Sequence, residues 1–182
     1  MQIQLVDNDS QLAGILALQK LNHVSEISIE TKNTQGFVTV RHDLPLLQTM
    51  NNSARQIIAL ENEAVIGYAL VMPKELKLQI PVLMPMFDMF GKISYKQKKL
   101  SELNYYVMGQ VCIAEAFRGK GIFEKLYSKH RETYSSTYDL CVTEVSTSNQ
   151  VSMRAHEKVG FQIIHTFADT TDEWNILLWD WK

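Results

Sequence analysis

Between residues 106 and 130 the chain reads as strand, tight turn and helix, and that order constrains everything around it. Residues 106–113, Tyr-Val-Met-Gly-Gln-Val-Cys-Ile, are rich in β-branched and aromatic side chains, a strand signal, with Gly109 inside as a candidate bulge. Further on, Ile122, Phe123, Leu126, Tyr127 and His130 fall at helical spacing. Arg118-Gly119-Lys120-Gly121 lies between them, with two glycines and two cations. Glycines there let the backbone turn sharply and approach a ligand closely. A helix that opens from such a turn presents unpaired N–H groups and the positive end of its dipole, a setting for anions and for phosphate above all. Two familiar phosphate loops are excluded by spacing: no Lys-Ser or Lys-Thr pair follows a glycine, and the third glycine of the dinucleotide fingerprint is missing.

The flanking segments supply a sheet and its covering helices. Residues 1–6 alternate as a first strand. Asp7 to Ser10 offers caps for a helix whose apolar face is Leu12, Ile15, Leu16, Leu18 and Leu21. Residues 23–35 are polar and weakly patterned, 36–40 read as a short strand, and 44–50 as a short helix with Pro45 early, where proline is tolerated. Residues 56–60 and 64–72 form a hairpin joined by Glu61-Asn62-Glu63. Residues 81–90 are the most apolar irregular stretch. Pro85 argues against one unbroken helix, and the segment reads as a short core helix, a greasy pocket wall or a dimer contact. Residues 92–102, with Lys96, Lys98 and Lys99, read as solvated. A strand at 140–145 follows, then a capping-box pattern at 147–150 and a helix that stops at Gly160. Residues 161–167 and 173–181 close the chain as an antiparallel pair. This is one α/β domain over residues 1–182, without repeats or linkers.

Bulk properties exclude several classes of partner. A formal net charge of −2 gives no reason to expect nucleic acid or a membrane surface. No apolar run approaches a membrane span and no basic-then-apolar leader opens the chain. Cys112 and Cys141 both sit in expected strands, which reads as buried thiols in a reducing compartment and a cytoplasmic protein. There is no metal-ligand spacing and no Gly-x-Ser-x-Gly nucleophile turn.

The turn Arg118-Gly119-Lys120-Gly121-Ile122-Phe123 resembles the acetyl-CoA pyrophosphate loop of the GNAT superfamily of N-acetyltransferases, Gln/Arg-x-x-Gly-x-Gly/Ala. Arg118 and Gly121 match, while Phe123 stands where a small residue is usual. Residues 149–161 resemble the family's second signature, Asn-x-x-Ala/Ser-x-x-apolar-Tyr-Glu-Lys-x-Gly-Phe, with His156 in place of the tyrosine. The resemblance runs over roughly residues 55 to 170. It implies a mixed, mainly antiparallel twisted sheet flanked by helices, with the fourth and fifth strands, here 106–113 and 140–145, splayed apart.

The resemblance also implies roles. Pantetheine would lie in the gap, its amides against Val111, Cys112 and Ile113 as an added strand, with a backbone N–H near Ile113 as oxyanion donor. Arg118, Gly119, Lys120, Gly121, Ile122 and Phe123 would hold the pyrophosphate. Asn149, Ser152 and His156, at i, i+3 and i+7, share one helix face that would border the cofactor, beside an apolar stripe of Val151, Ala155 and Val159 expected to pack on the sheet. The variable region between the first helix and residue 50 would build much of the acceptor site.

The implied activity is direct transfer of an acetyl group from acetyl-CoA to a primary amine within a ternary complex, with no metal. His156 would be the acid, partly protonated near neutral pH and aligned with a tyrosine that protonates the leaving thiolate. Glu144, near the end of its strand, is the best-placed base, though a one-residue slip in register would turn it away. Two rivals stay open, a non-catalytic acyl-CoA-binding module and a domain for another phosphate-bearing ligand. The acceptor remains open among small amines, amino acids, peptide N-termini and protein lysines.

Overall fold

The computed structural model describes residues 1–28, 30 and 35–182. The chain runs β1 (Gln2–Leu5), α1 (Asp9–Asn22), α2 (Leu44–Ser53), β2 (Ile57–Glu61), β3 (Ala64–Pro73), α3 (Met84–Phe90), β4 (Ser94–Tyr95) and β5 (Lys98–Lys99). It continues with β6 (Tyr105–Ile113), α4 (Ile122–Tyr134), β7 (Leu140–Ser146), α5 (Gln150–Val159), β8 (Gln162–Ala168) and β9 (Glu173–Asp180). Seven strands form one sheet in the order β1-β2-β3-β6-β7-β9-β8. Every neighbouring pair in it is antiparallel except β6 and β7.

That parallel pair is the structural event that matters. Its ladder holds only Tyr105↔Leu140, Tyr106↔Cys141 and Val107↔Val142, and then the strands part. On the other side of β6, Leu70 pairs with Gln110 and Val71 with Met108, so Gly109 is the extra residue of a bulge, as its position in the sequence suggests. A bulge bends its strand and sharpens the local twist, which carries the end of β6 away from β7. At the parting point the Thr143 hydroxyl donates to the Met108 carbonyl at 2.9 Å.

Each sheet face buries its own core. On one face α1, α2 and α3 bring Ile15, Leu47 and Phe90 against Tyr68, Leu70 and Val142. On the other, α4 and α5 bring Leu126, Tyr127 and Met153 against Tyr106, Val71 and Cys141. Period-2 alternation along β7 sends Leu140 and Val142 to the first face and Cys141 and Val145 to the second, so Glu144 shares the face of Val142. Both cysteines are free and buried. Among the described residues no helix is long and apolar enough to cross a membrane.

Several expectations need correcting. Residues 36–40 form no strand and make only the isolated bridge His23↔Val38; the carbonyls of Phe37, Val38, Thr39 and Val40 take side-chain or loop partners instead. The expected unpatterned stretch 23–35 lies partly outside the described residues. Residues 92–102 are not merely solvated: β4 and β5 make a tight hairpin, and Ile93 and Leu100 are buried under it. Lys96 and the Tyr95 hydroxyl tie that hairpin to Asp180 at the end of β9. Leu21 is 72% exposed and leaves the apolar face of α1. The cap of α5 is Asn149, whose side chain accepts from the Ser152 N–H, rather than Thr147. The face of α5 that packs inward is Met153 and His156, whereas Val151 and Ala155 line a cleft.

Gly160 ends α5 at φ +112°, and a Cβ built there would meet the Trp179 indole nitrogen at 2.8 Å. Replacing Gly160 by Ala therefore meets both backbone strain and a half-buried ring. The expected loss is at least about 1–2 kcal/mol, read as a lower urea midpoint at unchanged m-value; an unshifted midpoint would show that the ring yields freely.

Candidate active site

The turn after β6 is built as an open cradle. Gly119 and Gly121 adopt φ of +71° and +72°, the left-handed region that only glycine enters freely. Nothing lies within 4 Å of a Cβ built at Gly119, and at Gly121 the nearest atom is the Glu124 carboxylate at 4.0 Å. No side chain caps α4, so its first-turn N–H groups face that open space. Lys120 is exposed at the rim, with its ammonium over the Phe117 ring at 5.1 Å.

Three clefts continue from this cradle. The first, about 210 Å³, lies between the end of β6 and the start of α5. Val111, Cys112, Ile113, Arg118, Gly119, Phe123, Asn149 and Ser152 all line it, so most of the expected cofactor residues do meet. Lys120, Gly121 and Ile122 are outside its lining; the Ile122 side chain is buried in the core under α4. The second cleft, about 70 Å³, fills the gap where β6 and β7 part, between Met108–Val111 and Thr143–Ser146. It shares Phe37, Val38, Val111, Asn149 and Ser152 with the first. The third, about 450 Å³, adds Val24, Val82, Leu83, Asp169 and Asp172, and shares Phe37, Thr39, Val40, Glu144 and Trp174 with the second. Val82 and Leu83 in that wall reconcile two readings of residues 81–90, since Met86, Phe87 and Phe90 serve the core.

Glu144 stands at the junction of the second and third clefts. Burial, helped by the nearby Asp169 charge, pushes its pKa up to about 8. Asp169 itself is held below the usual carboxylate range: burial works against its charge, but Thr171, the Asp172 N–H and Trp174 outweigh it. The three ionisable residues that line the third cleft are all carboxylates, and none makes an ion pair with another described residue.

His156 differs from its expected state. It is 1% exposed, and burial pushes its pKa down to about 4, against the opposing pull of the Ser152 carbonyl. The ring is therefore neutral near pH 7, not half protonated. Nδ1 faces the Ser152 carbonyl at 2.8 Å, which can only accept, so Nδ1 carries the proton and Nε2 accepts from the Tyr127 hydroxyl at 2.6 Å. Both ring nitrogens are occupied by the protein. Arg118 is also more committed than expected, donating to Ile113, Gln35 and Asn22.

Tyr127, Trp174, Asp169, Asp172 and Gln35 were missed by sequence reasoning. Tyr127 reads as an ordinary core residue of an amphipathic helix, and the carboxylates as turn residues between two strands. The fold brings Gln35 to the first cleft and Trp174, Asp169 and Asp172 to the third, while Tyr127 stays in the core and reaches the site only through His156.

The profile of the acetyltransferase (GNAT) family matches residues 21–161. No curated protein matches at a significant level. Similar solved structures include a chain of the NatC complex bound to Gag peptide and CoA, 15% identical, TM-score 0.65, covering 100% of both chains. Another is the ribosomal-protein-alanine N-acetyltransferase of Brucella melitensis, 15% identical, TM-score 0.65, covering 99% of both. A third is a GNAT-family acetyltransferase of Streptococcus agalactiae, 14% identical, TM-score 0.67, covering 100% of this chain and 95% of the other.

The Glu144 carboxyl binds its proton more tightly in the native than in the unfolded state. Its contribution is therefore fully present below the ordinary value of 4.5 and lost as pH rises through about 8. The stability of the wild type relative to Glu144→Gln should fall between about pH 5 and about pH 9, by on the order of 2 kcal/mol for a half-buried carboxyl. Urea unfolding at the two pH values measures it; a difference that ignores pH would mean a solvated carboxyl.

Proposed function

Because the chain belongs to the acetyltransferase (GNAT) family, we propose that it transfers the acetyl group of acetyl-CoA directly to the primary amine of an acceptor. The observation that carries this reading is the unbroken track of clefts from the uncapped start of α4, through the parted strands, to Glu144. The open glycine turn suits a pyrophosphate, which the first N–H groups of α4 bind without a desolvated counter-charge. The free edge of β6 suits the amides of pantetheine, because an extended chain laid there pairs as an added strand. Asn149 and Ser152 face the same cleft from α5.

The third cleft suits the amine. An alkylammonium has a pKa of about 10 and no lone pair while charged, so the site must hold a cation and then take its proton. The Asp169 and Asp172 carboxylates, without a described counter-ion, favour the cation. Glu144, with its pKa near 8, is better matched to accept that proton than an ordinary carboxylate. His156 is not assigned the acid in this reading: neutral and doubly hydrogen-bonded, it holds Tyr127 and the first turn of α5 in place.

Free-thiol release from acetyl-CoA across an amine panel tests the transfer, and calorimetry with CoA tests the binding. Binding without thiol release from any amine would leave the chain as a CoA-binding module. Absence of CoA binding would favour another phosphate-bearing ligand.

Glu144→Gln is expected to lower kcat by about 10²- to 10⁴-fold with CoA affinity retained. In the wild type, turnover should rise with pH through a midpoint near 8, as Glu144 loses its proton. That limb should be missing from the variant, and an unchanged profile would remove Glu144 as base. Gly121→Glu places a carboxylate in the open cradle at positive φ. It should abolish CoA binding in calorimetry while the far-ultraviolet circular dichroism stays native; undiminished affinity would move the pyrophosphate elsewhere.

A further inference from the structure

Residues 35–42 form a strap that walls both ends of the track. Gln35, Gly36, Phe37 and Val38 line the first cleft, and Phe37, Thr39 and Val40 line the third. The strap has almost no ladder of its own and is pinned from outside. The Val38 N–H donates to the Asn22 carbonyl at 3.1 Å, and the Val24 N–H to the Val38 carbonyl at 2.9 Å. Asn149 donates to the Phe37 carbonyl at 3.3 Å, His23 to that of Thr39 at 3.0 Å and Gln110 to that of Val40 at 2.8 Å.

At the head of the strap sits Arg118. Its Nε donates to the Ile113 carbonyl at 3.0 Å, one terminal nitrogen to the Gln35 side chain and the other to the Asn22 side chain at 2.5 Å. One rigid fork thus joins the end of β6, the end of α1 and the strap. Asn22 serves twice, its backbone carbonyl holding Val38 and its side chain holding Arg118. All three acceptors are neutral, so the geometry of the fork rather than its charge makes the junction. A lysine keeps the charge but cannot reach three acceptors in one plane.

We propose that Arg118 is a positioning residue for the acceptor side of the site, latching the strap whose far half walls the acceptor cleft. The kinetic part of this inference rests on the transferase reading; the latch itself does not. Two measurements separate them. In the protein without acetyl-CoA, Arg118→Lys and Gln35→Ala should both speed amide hydrogen exchange at Val38 and Val24, whose N–H groups pin the strap, with the global urea midpoint little changed. In turnover, both should raise the acceptor KM by about tenfold, the worth of one hydrogen bond to a charged group. The Kd for CoA should stay within about twofold, and the double variant should be no worse than either single one. Faster exchange in a protein that turns over no amine would uphold the latch and sink the transferase reading. Unchanged exchange in both variants overturns the latch. So does a loss of CoA affinity in Arg118→Lys together with a silent Gln35→Ala, because Arg118 would then be a phosphate ligand.

Discussion

Three residue pairs hold β6 to β7, and the site exists because a fourth does not form. A sheet interior normally pairs every backbone group, since an orphaned amide costs about as much as a lost hydrogen bond. Here the ladder is cut by design. The Gly109 bulge bends β6. The protein limits the cost at the two ends of the opening, where Thr143 takes the Met108 carbonyl and Arg118 takes the Ile113 carbonyl. What remains between them is a length of strand edge whose natural partner is another extended chain.

The two faces of the sheet treat charge differently, and the difference has one cause. Beneath α4 and α5, Tyr106 pairs with His130 and Tyr127 with His156, four polar rings within an aromatic core. Burial pushes both histidines far down, to about 3 and about 4, so this face carries no titrating charge near neutral pH. Beside the third cleft the same desolvation acts on a carboxyl and pushes Glu144 up, to about 8. Burial thus silences the imidazoles and tunes the carboxyl.

Most of the fold was legible in the sequence, because it rests on short-range signals. The hairpin at Asn62-Glu63, the bulge at Gly109, the helix start at Gly121 and the helix stop at Gly160 each follow from the backbone demands of a few residues. The strap was not legible. Its partners lie as far away as Gln110, Arg118 and Asn149, and to local patterning Gly36-Phe37-Val38-Thr39-Val40 looks like a strand. The expected residues that line the first cleft lie on the end of β6, the turn and the helix face, all local signals. The charge state of His156 was not legible, because spacing on a helix says nothing of the rings packed around it. Glu144 was the intermediate case, since the parity of β7 was readable but the proximity of Asp169 depends on the β8–β9 turn.

Two residues depart from the patterns this chain otherwise resembles, a phenylalanine where a small residue is usual and a histidine where a tyrosine is usual. In the fold they touch. The Phe123 ring packs edge-on against His156 with centroids 5.1 Å apart, and against Tyr127 at 4.7 Å. The two rings share one space beside Tyr127. The Tyr127 hydroxyl then supplies a partner for His156 Nε2. Close packing makes such changes interdependent, because a core at crystal-like density has no spare room for one without the other. The Phe123 ring packs partly into the aromatic core under the helices, although one side still lines the first cleft. The backbone turn at Gly119 and Gly121 stays open beside it. A departure that seems to obstruct a phosphate loop when read along the sequence is, in three dimensions, a ring turned against the second departure and away from the open turn.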